Sequence, residues 1–219
     1  MIEPQLLTYK DWTFRWQPAR KKPAHLLLLV HGLTGDENSM WMLVRNLPPE
    51  YSILAPRGLF QTKAGGYTWR AGGHDFQGFP SDSDLVPAAQ ALTKFVDEWR
   101  GSAGMALDPF DMIGFSQGAG MVYLLGLLFP ARIGRFASLS GFLPEGAQVA
   151  GKGSRLAGKE IFVAHGRQDE MVPVERARRD VALLKEWDAR VTYCESDAGH
   201  KVSRECLLAL ESFFANTSG

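Results

Sequence analysis

The sequence has no excess of either charge. It also has no apolar run long enough to cross a membrane. Its 219 residues carry 24 basic and 24 acidic side chains, so no electrostatic footprint for nucleic acid is present. The longest apolar run, residues 121–130, is well short of the roughly 20 residues of a membrane span. No basic segment followed by an apolar core opens the chain, so we expect no signal peptide and a cytoplasmic location.

Cysteines are also scarce. Only Cys194 and Cys206 occur, too few for the disulfide framework of a small secreted domain. Cys194 lies in a predicted strand, and Cys206 lies on the apolar face of a predicted helix. From the sequence we therefore interpret both side chains as buried free thiols.

Phosphate-binding loops and metal sites are not predicted either. Residues 146–152 and 153–159 read G-x-x-x-x-G-K, but neither run is followed by the Ser or Thr that binds Mg²⁺. The five histidines show no metal-ligand spacing with other ligand types. We expect neither a metal nor an organic cofactor.

What the sequence does contain is an alternation of strand-like and helix-like segments. Continuous apolar runs, typical of strands buried on both faces, occur at residues 24–30, 51–55, 110–113, 136–139, 161–164 and 191–194. Helical spacing of apolar residues occurs at residues 41–47, 85–99, 119–129, 174–187 and 202–213. A hairpin is predicted at residues 5–9 and 12–17. This order predicts an α/β fold, with a mostly parallel central sheet and helices on both faces, in one domain of residues 1–219.

The most informative motif is G-x-S-x-G at residues 114–118, between a predicted strand and a predicted helix. In this context the motif is typical of a nucleophile elbow, a tight turn that holds a serine at the amino end of a helix. Glycine is needed where a Cβ would collide with the neighbouring strand or helix. Ser116 is therefore the candidate nucleophile.

A serine needs a base, and the base needs a carboxylate that orients it. Only His165 and His200 follow Ser116 in the chain. His200 comes after one predicted strand and Asp169 after another, in the order Ser, Asp, His that α/β-hydrolases use. We predict that Asp169 and His200 are catalytic and that His165, close to its own strand, is structural. Glu170 is the alternative carboxylate.

Two backbone N–H groups are the candidates for an oxyanion hole. One belongs to Gln117, the residue after the nucleophile, and the other to Leu33 in the loop after an early strand. Such donors stabilise the negative oxygen that forms in acyl transfer.

Together these residues make the chain similar to the phospholipase/carboxylesterase family of α/β-hydrolases, which includes the acyl-protein thioesterases. The resemblance implies an α/β-hydrolase fold with a minimal lid or none, and no cofactor or metal. Thr34 and residues 65–70 depart from the usual thioesterase-like pattern, so an acyl-protein substrate is not selected. The matching residues are His31-Gly32-Leu33, Ala55-Pro56-Arg57-Gly58, Trp69, Gly114 to Gly118, Gly141, His165-Gly166, Asp169, Val172-Pro173 and Gly199-His200.

No periodicity in residues 58–84 predicts a helix or strand, yet this segment is rich in aromatic residues separated by glycines. Long loops of this kind are often functional. We therefore expect Trp69, Phe76 and Phe79 to line the substrate pocket.

The function predicted from the sequence is that of a serine carboxylesterase acting on small to medium acyl esters. A thioesterase and a lysophospholipase are alternatives with the same chemistry, and a catalytically silent binding protein is an alternative of another class. The expected partner is a small-molecule ester, with no nucleic acid and no membrane span. Neither a monomer nor a dimer is favoured.

Overall fold

The central feature of the computed structural model, which describes residues 3–71, 78–147 and 155–215, is an eight-stranded sheet. The strands of this sheet are β1 (Gln5–Tyr9), β2 (Trp12–Gln17), β3 (His25–Val30), β4 (Tyr51–Pro56), β7 (Phe110–Phe115), β8 (Ile133–Leu139), β9 (Glu160–Gly166) and β10 (Arg190–Ser196). Strands β5 (Phe60–Gln61) and β6 (Tyr67–Thr68) form a separate two-stranded sheet. The helices in the described ranges are α1 (Asp82–Ser102), α2 (Gln117–Leu128), α3 (Val174–Glu186) and α4 (Arg204–Ala215), with a 3₁₀ turn at Trp41–Leu43.

The strand order is β1-β2-β4-β3-β7-β8-β9-β10. Strands β1, β2 and β4 pair antiparallel, and every pair from β4 to β10 is parallel. The mostly parallel sheet expected from the apolar runs is therefore confirmed. Because parallel strands end at the same edge, the loops after β3, β7, β9 and β10 gather there.

The two faces of the sheet carry separate cores, as the unbroken apolar runs predict. In β3, Leu26, Leu28 and Val30 pack toward α1, α2 and α3, whereas Leu27 and Leu29 pack toward the 3₁₀ turn and α4. Helices thus cover both faces. No helix in the described ranges is both long enough and apolar enough to span a membrane.

The predicted hairpin β1–β2 extends the sheet and packs its aromatic side chains on α1. Trp12 stacks on Phe95 with ring centres 4.6 Å apart, and Trp16 meets Trp99 edge-on at 4.7 Å. Stacked and edge-on aromatic pairs add to the stabilisation that burial provides. These contacts fix α1, the helix that follows residues 58–81.

Within residues 58–84 the structure shows the short hairpin β5–β6 and the start of α1 at Asp82. Ser81 caps the helix in a capping box with Asp84, and Arg70 forms an ion pair with Asp84 at 3.0 Å. Both interactions attach the end of this segment to α1. A two-residue strand is too short to produce a detectable period in sequence.

Cys194 and Cys206 form a disulfide, so the prediction of free thiols is wrong. The strand and the helix that carry them were both expected. Because α4 returns beside β10, the two Cα atoms lie 5.6 Å apart, within the range that a disulfide requires. Disulfides persist mainly in oxidising compartments, so this bond does not support the cytoplasmic location expected from the sequence.

Candidate active site

Ser116 occupies a sharp turn between β7 and α2. Its φ of 54° and ψ of −116° are unusual for a residue other than glycine, and such strain is concentrated at functional sites. The turn is possible because Gly118 follows: a Cβ there would overlap the carbonyl oxygen of Val30. Ser116 is half-buried, and its N–H donates to the carbonyl of Leu139 at 2.9 Å.

His200 lies between Ser116 and Asp169, although the three residues come from loops after β7, β9 and β10. Its Nε2 is 3.0 Å from the Ser116 Oγ, and its Nδ1 is 2.8 Å from the Asp169 Oδ2. With Nδ1–H donating to the carboxylate, Nε2 is free to accept the serine proton. This is the arrangement that activates a serine for acyl transfer.

The Asp169 carboxylate is buried and held in place by its own loop. Its Oδ1 accepts hydrogen bonds from the N–H groups of Met171 and Val172, at 2.9 and 2.8 Å. The alternative carboxylate, Glu170, is exposed, and among the described residues it forms no hydrogen bond or ion pair with His200. The structure thus brings Asp169, and not Glu170, to the imidazole.

His165 packs behind Asp169 and is fully buried. Its Nε2–H donates to the Val172 carbonyl at 2.7 Å and lies 3.5 Å from the Asp169 Oδ2. The ring therefore holds the loop that carries the carboxylate. Among the described residues no hydrogen bond joins His165 to Ser116, which agrees with the structural role predicted for it.

Leu33 lies in a tight turn against the elbow. The N–H of Gly35 donates to the Gly32 carbonyl at 3.1 Å, and Thr34 has a φ of 64°. A Cβ on Gly32 would lie 3.2 Å from the Ser116 Cβ, so the turn and the serine are in close approach. Within the described chain, the N–H groups of Leu33 and Gln117 have no hydrogen-bond partner.

The Gln117 side chain has a role that the motif does not reveal. Its Oε1 accepts hydrogen bonds from the Thr68 hydroxyl and the Trp69 N–H, both at 2.9 Å. The amide thus attaches hairpin β5–β6 to the elbow. No sequence pattern indicates this contact, since it joins residues 48 positions apart.

The expectation that Trp69 lines a substrate pocket is corrected, because its side chain is 0% exposed. Its indole N–H donates to the His31 carbonyl at 2.8 Å, so it supports the loop after β3 from within. Phe76 lies outside the described residues. Phe79 is half-buried and meets the Phe142 ring edge-on, with centres 4.9 Å apart.

His31 is buried as a neutral imidazole beneath this loop. Its Nε2 accepts from the Gly58 N–H at 2.8 Å, and its Nδ1–H donates to the Gly32 carbonyl at 2.7 Å. Burial lowers the pKa of His31 below its usual range. The ring links the turn that carries Leu33 to the start of residues 58–84.

The relatives found by sequence comparison include proteins named as carboxylesterases. A probable carboxylesterase of Oryza sativa subsp. japonica is 31% identical over 140 residues, which are 62% of this chain and 51% of that protein. Carboxylesterase SOBER1 of Arabidopsis thaliana is 35% identical over 142 residues, 62% of this chain and 60% of that protein. The chain thus aligns with less than two thirds of the length of either relative.

Solved structures agree on the fold. The carboxylesterase from Mesorhizobium loti superposes with a TM-score of 0.80 at 23% identity, covering 98% of this chain and 99% of that one. Esterase PE8 superposes with a TM-score of 0.78 at 21% identity, covering 90% and 95%. These likenesses show the α/β-hydrolase fold expected from the sequence. The profile described as Phospholipase/Carboxylesterase matches residues 13–218, so this chain belongs to that family of α/β-hydrolases.

Proposed function

We propose that this protein is a serine carboxylesterase that hydrolyses small to medium acyl esters through an acyl-enzyme. The observation that carries the proposal is the His200 ring, whose two nitrogens lie within hydrogen-bond distance of the Ser116 hydroxyl and the Asp169 carboxylate. The carboxylesterase names of the aligned relatives support the same reaction.

In the proposed reaction, His200 Nε2 takes the proton of Ser116 as Oγ attacks the ester carbonyl. The imidazolium then gives this proton to the leaving alcohol as the C–O bond breaks, which leaves Ser116 acylated. Water then attacks the acyl-enzyme as His200 Nε2 takes one of its protons. The imidazolium returns this proton to Ser116 Oγ as the acyl–oxygen bond breaks, which releases the acid product and restores the serine. Asp169 keeps Nδ1 protonated throughout and stabilises the imidazolium.

The carbonyl oxygen becomes negative in each tetrahedral intermediate and needs preorganised donors. The N–H groups of Leu33 and Gln117 serve this role, since both flank Ser116 and neither has another partner among the described residues. Gln117 is also the first residue of α2, so the dipole of that helix favours negative charge at the same place.

The preference for a modest acyl group is supported by the apolar side chains around the site. Leu33 is 53% exposed in the turn beside Ser116, and Met171 is 65% exposed two residues after Asp169. Exposed apolar side chains next to catalytic groups suit an acyl chain that is only partly enclosed.

The test is a panel of p-nitrophenyl esters of graded chain length, assayed with the wild type, Ser116→Ala and Ser102→Ala. We expect Ser116→Ala to abolish turnover and fluorophosphonate labelling, whereas Ser102→Ala, changed at an exposed serine at the end of α1, retains both. Full activity of Ser116→Ala would overturn the proposal. Faster turnover of matched thioesters or lysophospholipids would favour a thioesterase or lysophospholipase, and a wild type inert to the probe would favour a binding protein.

A further inference from the structure

Arg176, in the first turn of α3, lies over two aromatic rings close to the candidate site. Its guanidinium carbon is 3.9 Å from the centre of the Phe79 ring and 5.6 Å from that of Phe142. A cation over an aromatic face is attracted by the ring quadrupole. The stacking fixes the plane of the guanidinium but uses none of its N–H donors.

Two of those donors are buried and unsatisfied. The Nε and Nη2 atoms of Arg176 have no hydrogen-bond partner in the described chain, and no described carboxylate forms an ion pair with it. The nearby Asp180 already accepts from the Leu143 N–H at 2.6 Å and from Arg179 at 3.3 Å. Because unpaired buried donors cost free energy, a ligand with acceptor oxygens bound at these nitrogens would stabilise this group.

The pair of free nitrogens has a specific geometry. Nε and Nη2 lie on the same edge of the guanidinium plane, where two parallel N–H bonds match the two oxygens of a carboxylate. Burial, followed by the charge of Arg179, lowers the pKa of Arg176, but a guanidinium stays charged in proteins. A bound carboxylate would therefore neutralise the charge and satisfy both donors.

The position of Arg176 links it to the candidate nucleophile. Phe142, one of its two aromatic neighbours, directly follows Gly141, and a Cβ on Gly141 would lie 3.2 Å from the Ser116 carbonyl oxygen. Helix α3 itself begins just after the loop that carries Asp169. Arg176 thus lies on the side of the sheet where the loops that carry Ser116 and Asp169 gather.

We propose that Arg176 is a specificity-determining residue that binds a second carboxylate of the substrate, so that the preferred esters are half-esters of short dicarboxylic acids. The inference rests on the esterase function proposed above. Phe79 and Phe142 flank the methylene chain, and the distal carboxylate pairs with the Nε and Nη2 edge. Arg176 is half-buried overall, and binding requires its Nε and Nη2 edge to become accessible to the carboxylate.

The experiment compares two substrates with the same five-carbon acyl chain, mono-p-nitrophenyl glutarate and p-nitrophenyl valerate. In Arg176→Met, the ratio of kcat/KM for the glutarate ester to kcat/KM for the valerate ester should fall about 10- to 100-fold. Arg176→Lys keeps the charge but not the paired donors, and its ratio should be intermediate. Arg178→Met removes an equal charge from an exposed position of the same helix and should leave the ratio unchanged.

An equal loss on both esters in Arg176→Met, or an unchanged ratio, would overturn the inference. A direct binding measurement separates it from the esterase proposal: titration calorimetry with free glutarate should show binding to the wild type and loss of binding in Arg176→Met. If the valerate ester is hydrolysed, while the glutarate ester is not and free glutarate does not bind, the Arg176 inference fails and the esterase proposal stands. If neither ester is hydrolysed but glutarate binding depends on Arg176, the esterase proposal fails instead.

Discussion

The side-chain oxygen of Gln117 accepts a hydrogen bond at 2.9 Å from the backbone N–H of Trp69. One residue thus supplies a backbone N–H beside the nucleophile and a side chain that holds the neighbouring hairpin. The indole N–H of Trp69 in turn donates a hydrogen bond to the carbonyl of His31, in the loop after β3. The elbow, the hairpin and the loop after β3 are therefore joined at one buried point.

Gln117→Leu tests this junction, because it keeps the volume and the backbone N–H but leaves the buried Trp69 N–H unpaired. We expect the free energy of unfolding in urea to fall by about 1–3 kcal/mol. Thr68→Val removes the hydroxyl bond to the same oxygen and the longer bond, at 3.2 Å, that the hydroxyl accepts from the Arg70 N–H. Because the buried Trp69 N–H keeps its partner, this variant should cost less. Equal stability of Gln117→Leu and the wild type would show that the junction contributes nothing.

Asp169→Asn tests which carboxylate orients His200. The amide presents N–H donors to Nδ1 and favours the tautomer in which Nε2 cannot accept the serine proton. In serine hydrolases of this design the equivalent change lowers kcat about 10⁴-fold, and we expect a similar loss here. Glu170→Gln, changed at the exposed neighbour, should keep nearly full kcat; a large loss there instead would move the role to Glu170.

Two glycines of α2 form a matched pair for the elbow. Gly118→Ala places a Cβ onto the Val30 carbonyl oxygen, and we expect a loss of about 3 kcal/mol or more in unfolding free energy. Gly120→Ala places its Cβ 3.4 Å from the Pro144 Cγ, an ordinary contact. Since alanine favours a helix, this variant should gain up to about 1 kcal/mol. Thermal or urea unfolding of both proteins checks the pair.

His31 should make stability depend on pH. Because its folded pKa is lowered, the unfolded chain binds a proton that the folded protein resists. The free energy of unfolding should be highest above about pH 6.5 and fall as pH drops below it, by at most about 1.4 kcal/mol per pH unit. Urea titrations of the wild type and His31→Asn should show a smaller slope in the variant. His25→Asn, changed at an exposed histidine, should retain the wild-type slope.

The Cys194–Cys206 disulfide closes the segment that carries His200. Its sequence separation of 12 predicts a stabilisation of about 3 kcal/mol from the restricted unfolded chain. Dithiothreitol should therefore lower the Tm of the wild type and, as the loop loosens, its esterase activity. The double variant Cys194→Ala/Cys206→Ala should show the lowered Tm without any response to the reductant. A wild type indifferent to dithiothreitol would contradict this.

Much of the fold was predictable because its signals are local. The unbroken apolar run at residues 24–30 indicates a strand buried on both faces, and the alternating pattern in the hairpin at residues 5–17 indicates strands with one apolar face. Hairpin β5–β6 was not predictable, because its two-residue strands are held by contacts with distant residues. The N–H of Tyr67, for example, donates to the carbonyl of Gly35 at 2.9 Å.

By itself the sequence determined that Ser116, Asp169 and His200 follow three strands of a parallel sheet, since periodicity and order along the chain are local properties. Only the tertiary structure decided that their side chains lie within hydrogen-bond distance, that Trp69 is buried beneath the site, and that Cys194 pairs with Cys206. Each of these contacts depends on how segments distant in sequence approach one another when the sheet and helices pack. No local sequence pattern encodes that approach. The unpaired Nε and Nη2 atoms of Arg176 were likewise decided by the tertiary structure, because this side chain is buried and stacked on Phe79 and Phe142 only once α3 is packed.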